Sequence, residues 1–260
     1  MTKLKHKLSS RWFESLSTTY EPLLRLFCFP YAGGSAHVFR EWQRYLAPEI
    51  DVCLVHLPGR AQRICELPHT RLLALVEEVA DAIGTQIDEP FAFYGHSMGG
   101  LISFELAREL RRRRCEIPVH LFVSAHPSPV AKKRLPHTFN LPLPEFIAEI
   151  RKFNGTPKEL FDYPELQEAW LPLLRADFEM TDTYEYLADS ALGCPIMVYG
   201  GEKDEIVSAK NLAAWGQLTS AKCEIRIFPG DHFFIQNHKT EFVRVFRQDL
   251  LRTLCIASIH

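Results

Sequence analysis

Gly95-His96-Ser97-Met98-Gly99 follows the apolar run Pro90–Tyr94 and precedes a stretch, Met98–Ala107, that reads as a helix. Gly-x-Ser-x-Gly between a strand and a helix is a nucleophile elbow, a turn so tight that the serine hydroxyl stands clear at the strand's end. Glycines two positions either side are required because a Cβ there would collide with the neighbouring helix or strand. The helix that follows points its N-terminal amides and positive dipole end at charge developing beside Ser97.

A serine hydroxyl is a weak nucleophile at neutral pH and needs a base to take its proton. After such an elbow the chain order is serine, then Asp or Glu, then His. Among eleven histidines, His232 in Phe228-Pro229-Gly230-Asp231-His232-Phe233-Phe234 follows the last strand on a glycine-containing loop. His6, His37, His56 and His69 precede the serine, and His96 adjoins it on a tight turn where it packs beneath the elbow rather than acting as base. The expected acid is Asp204, in a run where strand Pro195–Tyr199 ends in Gly200-Gly201 and carboxylates follow; Glu202 is the alternative. Its role is to fix the imidazole tautomer and stabilise the imidazolium. Attack on a carbonyl also needs preplaced donors for the oxyanion. The amide of Met98, next to the nucleophile, is one. The loop Pro30-Tyr31-Ala32-Gly33-Gly34-Ser35 offers the other, and the Ala32 amide is the choice.

Positioning these groups takes a sheet. Six continuous apolar runs read as buried strands: Leu24–Phe29, Val52–Leu57, Phe91–Tyr94, Leu121–Ser124, Ile196–Tyr199 and Glu224–Phe228. Helical patterns lie between or after them at Val38–Leu46, Leu72–Ile83, Leu101–Leu110, Ala209–Leu218 and Phe242–Leu251. The alternation predicts an α/β, mostly parallel doubly wound sheet. Residues from Pro127 to about Asp189 interrupt the rhythm with helical pieces punctuated by Pro136, Pro142, Pro144, Pro157, Pro164 and Pro172, and with a large apolar inventory that includes Phe146, Phe153, Trp170, Leu174 and Phe178. That stretch is expected to form a helical lid over Ser97. Arg111–Arg114 reads as a solvated helix C-terminus complementing the dipole, with docking of an acidic partner as the alternative.

Composition sets outer bounds. With 260 residues and 47% hydrophobic content, one domain is the default. A net charge of −2 argues against a nucleic-acid partner. Seven cysteines, an odd number with no Cys-x-x-Cys pair, point to neither a zinc site nor a disulfide framework, and reduced cytosolic thiols account for them. The basic Met1–Arg11 lacks a following apolar segment, so it is no secretory signal, and no stretch is long enough to span a membrane. A cytoplasmic location is expected.

Four motifs together are similar to the type II thioesterases, free-standing α/β hydrolases of polyketide and nonribosomal peptide synthesis. They are Phe29–Ser35, Leu57-Pro58-Gly59-Arg60, Tyr94–Gly100 and Gly230–Phe233, joined by Leu174-Arg175-Ala176-Asp177-Phe178 in the lid segment. The resemblance covers nearly all of the chain after Pro22. It implies Ser97, Asp204 and His232 as the triad and the Ala32 and Met98 amides as the oxyanion hole. It further implies hydrolysis of acyl groups from the phosphopantetheine arm of acyl or peptidyl carrier proteins, which clears stalled or misprimed assembly lines. No metal or redox cofactor is then required, since the phosphopantetheine belongs to the substrate. The whole chain, 1–260, is expected to be a single α/β-hydrolase domain, with a leader over 1–21 to which no role is assigned and a lid at about 127–189. Three other readings compete: a malonyl-type acyltransferase, which would want an arginine that Val119–Ser124 lacks; a lipase or esterase acting on free esters; and a catalytically silent binding module.

Overall fold

The computed structural model describes residues 10–17, 22–83, 87, 89–131, 137–153, 155 and 163–257. Along the chain run β1 (Phe13–Ser15), β2 (Leu24–Phe29), α1 (Gln43–Leu46), β3 (Ile50–Val55), α2 (Leu72–Ile83), β4 (Phe91–His96), α3 (Met98–Arg112) and β5 (His120–Ser124). They are followed by α4 (Leu143–Arg151), α5 (Pro164–Asp182), β6 (Ile196–Gly201), α6 (Ala209–Ala213), β7 (Cys223–Phe228), α7 (Phe234–Asn237) and α8 (Lys239–Ala257). The seven strands form one sheet in the order β1-β3-β2-β4-β5-β6-β7, parallel throughout except for β1, which runs antiparallel to β3.

The central strands β2 and β4 are buried at every position because both faces are covered. Along β2 and β4, Phe27, Phe29, Phe91 and Phe93 enter the core shared with α2 and α3. Leu24, Leu26, Cys28, Ala92 and Tyr94 face the opposite core, which Phe39, Trp42, Phe242 and Phe246 complete. Successive side chains thus alternate between two hydrophobic layers. Helix α2 buries Leu72, Leu75, Val76, Val79, Ala80 and Ile83, one stripe at helical spacing.

The strand order reverses between β2 and β4, where crevices outside the carboxyl ends collect ligands in open α/β sheets. Phe29 lies opposite Gly95 in that pair, so the Pro30–Gly34 loop and Ser97 leave from neighbouring strand ends. β6 and β7 pair with Gly201 opposite Phe228, which brings the loops carrying Asp204 and His232 together.

Two sequence expectations change here. The described part of the leader belongs to the sheet: Phe13–Ser15 pairs with Cys53–Val55 as an edge strand, and Trp12 and Phe13 are buried in the core. Arg111–Arg114 is not a plain solvated terminus. Arg111 donates to the Ser190 and Ala191 carbonyls at 2.7 and 2.9 Å and to Asp189 at 2.7 Å, so it ties the chain beyond α5 to α3. Arg113 reaches Glu109 at 2.6 Å and Asp81 at 2.5 Å. Of the expected lid, α4 and α5 are seen, whereas 132–136, 154 and 156–162 lie outside the described residues.

Candidate active site

Ser97 stands between β4 and α3 at φ 52, ψ −121, a conformation strained for a residue with a Cβ. The strain is held by its surroundings. The Ser97 amide donates to the Ser124 carbonyl at 2.7 Å, and its carbonyl accepts from the Gly100 amide at 2.8 Å. A Cβ on Gly95 would lie 2.1 Å from the Gly99 carbonyl oxygen, and one on Gly99 would lie 2.1 Å from the Phe29 carbonyl oxygen. Both elbow glycines are therefore obligatory, for the reason the motif suggested.

His232 joins the serine to the acid. Its Nε2 lies 3.0 Å from Ser97 Oγ and its Nδ1 lies 2.8 Å from Asp204 Oδ2. The Asp204 side chain is fully buried, and its other oxygen, Oδ1, accepts the amides of Ile206 and Val207 at 2.8 and 3.0 Å. Bonds from two amides and one imidazole hold that carboxylate in place. Glu202 and Glu205 are exposed. Asp231 braces the loop instead, accepting the Phe233 amide at 2.9 Å and the Asn237 side-chain amide at 3.2 Å. Gly201 permits the close approach: a Cβ there would meet the Asp231 carbonyl oxygen at 2.3 Å.

Two other imidazoles flank the site. His96 is completely buried under the elbow, with Nδ1 2.9 Å from Ser124 Oγ and its ring against Tyr31 and Phe233. Burial, reinforced by nearby His232, pushes its pKa well below the usual histidine range. Burial likewise lowers that of His126 to about 4. Both rings are neutral at pH 7.

The Met98 amide belongs to the first turn of α3, where N–H groups have no partner within the helix. Ala32 and Ser97 line two cavities that meet at the serine. One, of about 110 Å³, is walled by Tyr31, Ile150, Trp170, Leu174 and Phe233. The other, of about 230 Å³, extends past Met98, Leu101, Pro127, Tyr184 and Val207. Phe153 and Phe178 border both, and the Phe153 ring packs edge-on against His232 at 5.1 Å. Such a site can present a nucleophile, a base and oxyanion donors to a carbonyl that has a chain on either side.

A second titratable cluster lies at the sheet edge. Glu14, His37 and His56 bring ligand atoms within 4.8 Å of one another, but the Arg40 guanidinium bonds both Glu14 oxygens and opposes a cation there. Among the described residues no helix is long and apolar enough to cross a membrane.

The parallel sheet with its strained serine at a strand–helix turn defines the α/β-hydrolase class. Within it, the chain belongs to the thioesterase family and is a type II thioesterase: the thioesterase domain matches residues 24–250. It is 42% identical over 241 residues to the gramicidin S biosynthesis protein GrsT of Aneurinibacillus migulanus, covering 93% of this chain and 94% of that one. Thioesterase PikA5 of Streptomyces venezuelae is 33% identical over 252 residues, covering 94% and 87%. The solved structure of BorB, a type II thioesterase from the borrelidin biosynthetic cluster, superposes with a TM-score of 0.84 at 30% identity, covering 96% of this chain and 100% of that one.

Proposed function

We propose that this thioesterase hydrolyses acyl groups from the phosphopantetheine arm of acyl or peptidyl carrier proteins, editing stalled or misprimed polyketide and nonribosomal peptide synthases in the cytoplasm. Ser97 is the nucleophile, His232 the general base and Asp204 the group that orients it. The observation that carries this reading is the Ser97–His232–Asp204 hydrogen-bond chain at the junction of two cavities, with room for a carrier's arm on one side of a thioester carbonyl and an acyl group on the other.

His232 takes the Ser97 proton as Oγ attacks the thioester carbon, and the carbonyl π electrons move onto oxygen, held by the Ala32 and Met98 amides. Collapse breaks the C–S bond, and the imidazolium returns the proton to the departing thiol. A water then gives its proton to His232 and attacks the acyl-enzyme. A second oxyanion forms and collapses, and the proton passes to Ser97 Oγ as the free acid leaves. No metal or redox partner enters this sequence. The segment from about 127 to 189 acts as a lid, with Phe153 and Phe178 bordering the cavities at the serine and Phe146 packed behind Phe178.

Hydrolysis rates on one acyl group offered as carrier thioester, coenzyme A thioester and simple ester test the proposal. A clear preference in kcat/KM for the carrier-linked form supports it. Equal rates on all three, or preference for the ester, make the protein a general esterase.

A further inference from the structure

Arg60 of the Leu57–Arg60 motif and Asp177 of the Leu174–Phe178 motif have no part in the mechanism above, and the structure brings them together. Arg60 and Asp177 form a buried fork, with their side chains 6% and 0% exposed. Arg60 Nη2 donates to Asp177 Oδ1 at 2.7 Å and Nη1 donates to Oδ2 at 2.8 Å. The pair also grips the loop that carries Ala32. Asp177 Oδ2 accepts the Gly33 amide at 2.7 Å, and Arg60 Nη1 donates to the Gly34 carbonyl at 3.2 Å. Arg60 itself is anchored, its Nε donating to the Pro58 carbonyl at 3.3 Å.

A buried ion pair is a poor device for stability alone, because desolvating two charges offsets most of their attraction. What this fork specifies is orientation. It fixes the Ala32–Gly33 and Gly34–Ser35 peptide planes, and within the loop so held the Gly34 amide donates to the Tyr31 carbonyl at 3.0 Å, which orients the Tyr31–Ala32 plane that carries the Ala32 N–H. Gly33 sits at φ +73, and a Cβ there would meet Leu174 Cδ1 at 2.8 Å and Trp170 Nε1 at 3.0 Å. The loop is thus pressed directly against α5, the helix that carries Asp177 and supplies Trp170, Leu174 and Phe178 to the cavities.

We infer that Arg60 and Asp177 are positioning residues that aim the Ala32 amide at the reacting carbonyl and make its alignment depend on the seating of α5. This rests on the proposed role of Ala32 as an oxyanion donor. Through the fork, α5 both walls the acyl site and completes the oxyanion hole, so an enzyme whose α5 is displaced holds substrate without stabilising its tetrahedral intermediate.

The test compares wild type with Asp177→Asn, which sets an amide NH2 against either Arg60 or the Gly33 amide, donor facing donor. Three quantities are measured: kcat and KM on an acyl-carrier thioester, the Kd of a non-hydrolysable thioether analogue, and the Ki of an acyl trifluoromethyl ketone that forms a hemiketal oxyanion with the serine. Losing one oxyanion donor costs roughly 10²–10³-fold in kcat. Misaiming one is expected to cost about 10–100-fold, with Ki rising in parallel while KM and the thioether Kd stay within about threefold. An unchanged kcat in a folded variant overturns the inference, as does equal weakening of the thioether and the ketone. If Asp177→Asn does not fold, Arg60→Lys, which keeps the charge and loses the fork, is measured the same way; collapse of both assigns the pair to stability and overturns the positioning role. Ser97→Ala, run alongside, separates the two levels. Turnover by that variant refutes the mechanism itself, whereas a dead Ser97→Ala with a fully active Asp177→Asn refutes only the role of the fork.

Discussion

Truncating Phe178 to alanine should change which acyl chains the enzyme prefers more than it changes the chemistry. The ring borders both cavities, packing edge-on against Phe146 at 5.9 Å and Phe153 at 5.7 Å. Its removal widens the space beside the serine where cavities of about 110 and 230 Å³ meet. Each methylene newly accommodated in an apolar pocket contributes about 0.8 kcal/mol, a factor of about four, so three further carbons are worth about 2.4 kcal/mol or about 60-fold in kcat/KM. The rate on a short acyl thioester should stay within about threefold, because the serine, the imidazole and the carboxylate act on the carbonyl whatever follows it. Phe178 is half-buried beside open space, so its truncation should cost less than the 3–5 kcal/mol typical of a filled core. A loss of about 1–2 kcal/mol lowers Tm by only a few degrees in a chain of this size. The assay is a chain-length series of acyl-carrier substrates with thermal melts of the same preparations. A fall in Tm beyond about 10 °C with an unchanged chain-length profile would make Phe178 a core residue and refute its place in the acyl wall.

Asp204→Asn should lower kcat by up to about 10⁴-fold, since the imidazole then loses the partner that fixes its tautomer; Glu202→Gln, at an exposed carboxylate, should be nearly silent, and the reverse ranking moves the acid to Glu202. Burial lowers the His120 pKa from 6.5 to about 4, so the unfolded chain takes up a proton near pH 6.5 that the folded chain refuses until near pH 4. Its contribution to stability is therefore complete above pH 6.5 and is lost as pH falls towards 4, at about 1.4 kcal/mol per unit of difference and at most about 3.5 kcal/mol. Denaturant melts should show His120→Gln flattening that acid decline, and an identical pH profile in the variant would contradict it.

Much of the fold was legible because local pattern and tertiary role agree. Leu24–Phe29 and Leu72–Ile83 match their elements at both ends: one is a strand buried on both faces, the other a helix with a single apolar stripe. The third strand was read as Val52–Leu57 but spans Ile50–Val55, because apolar Leu57 continues the run after the pairing with β2 has ended. The edge strand Phe13–Ser15 left no signal, being three residues long and defined only by its antiparallel partners 53–55. The Ser97 elbow stood out because strain, glycine spacing and flanking elements coincide within a few residues. Asp204 and His232 followed from chain order and from glycines that let two loops touch. The Arg60–Asp177 fork could not be read as a contact, since it joins groups 117 positions apart and neither motif announces what it touches. The arginines ending α3 were similarly opaque, because Arg111 finds its carbonyl partners nearly eighty residues on.

The central claim, that Ser97 carries the acyl group between carrier and water, is tested most directly by rapid-quench mass spectrometry of the enzyme mixed with acyl-carrier protein. The predicted result is a transient acyl adduct on the peptide containing Gly95–Gly99, assigned to Ser97 by fragmentation and absent from Ser97→Ala, which should also lose turnover. An adduct on another residue, or hydrolysis by Ser97→Ala at the wild-type rate, would contradict the account.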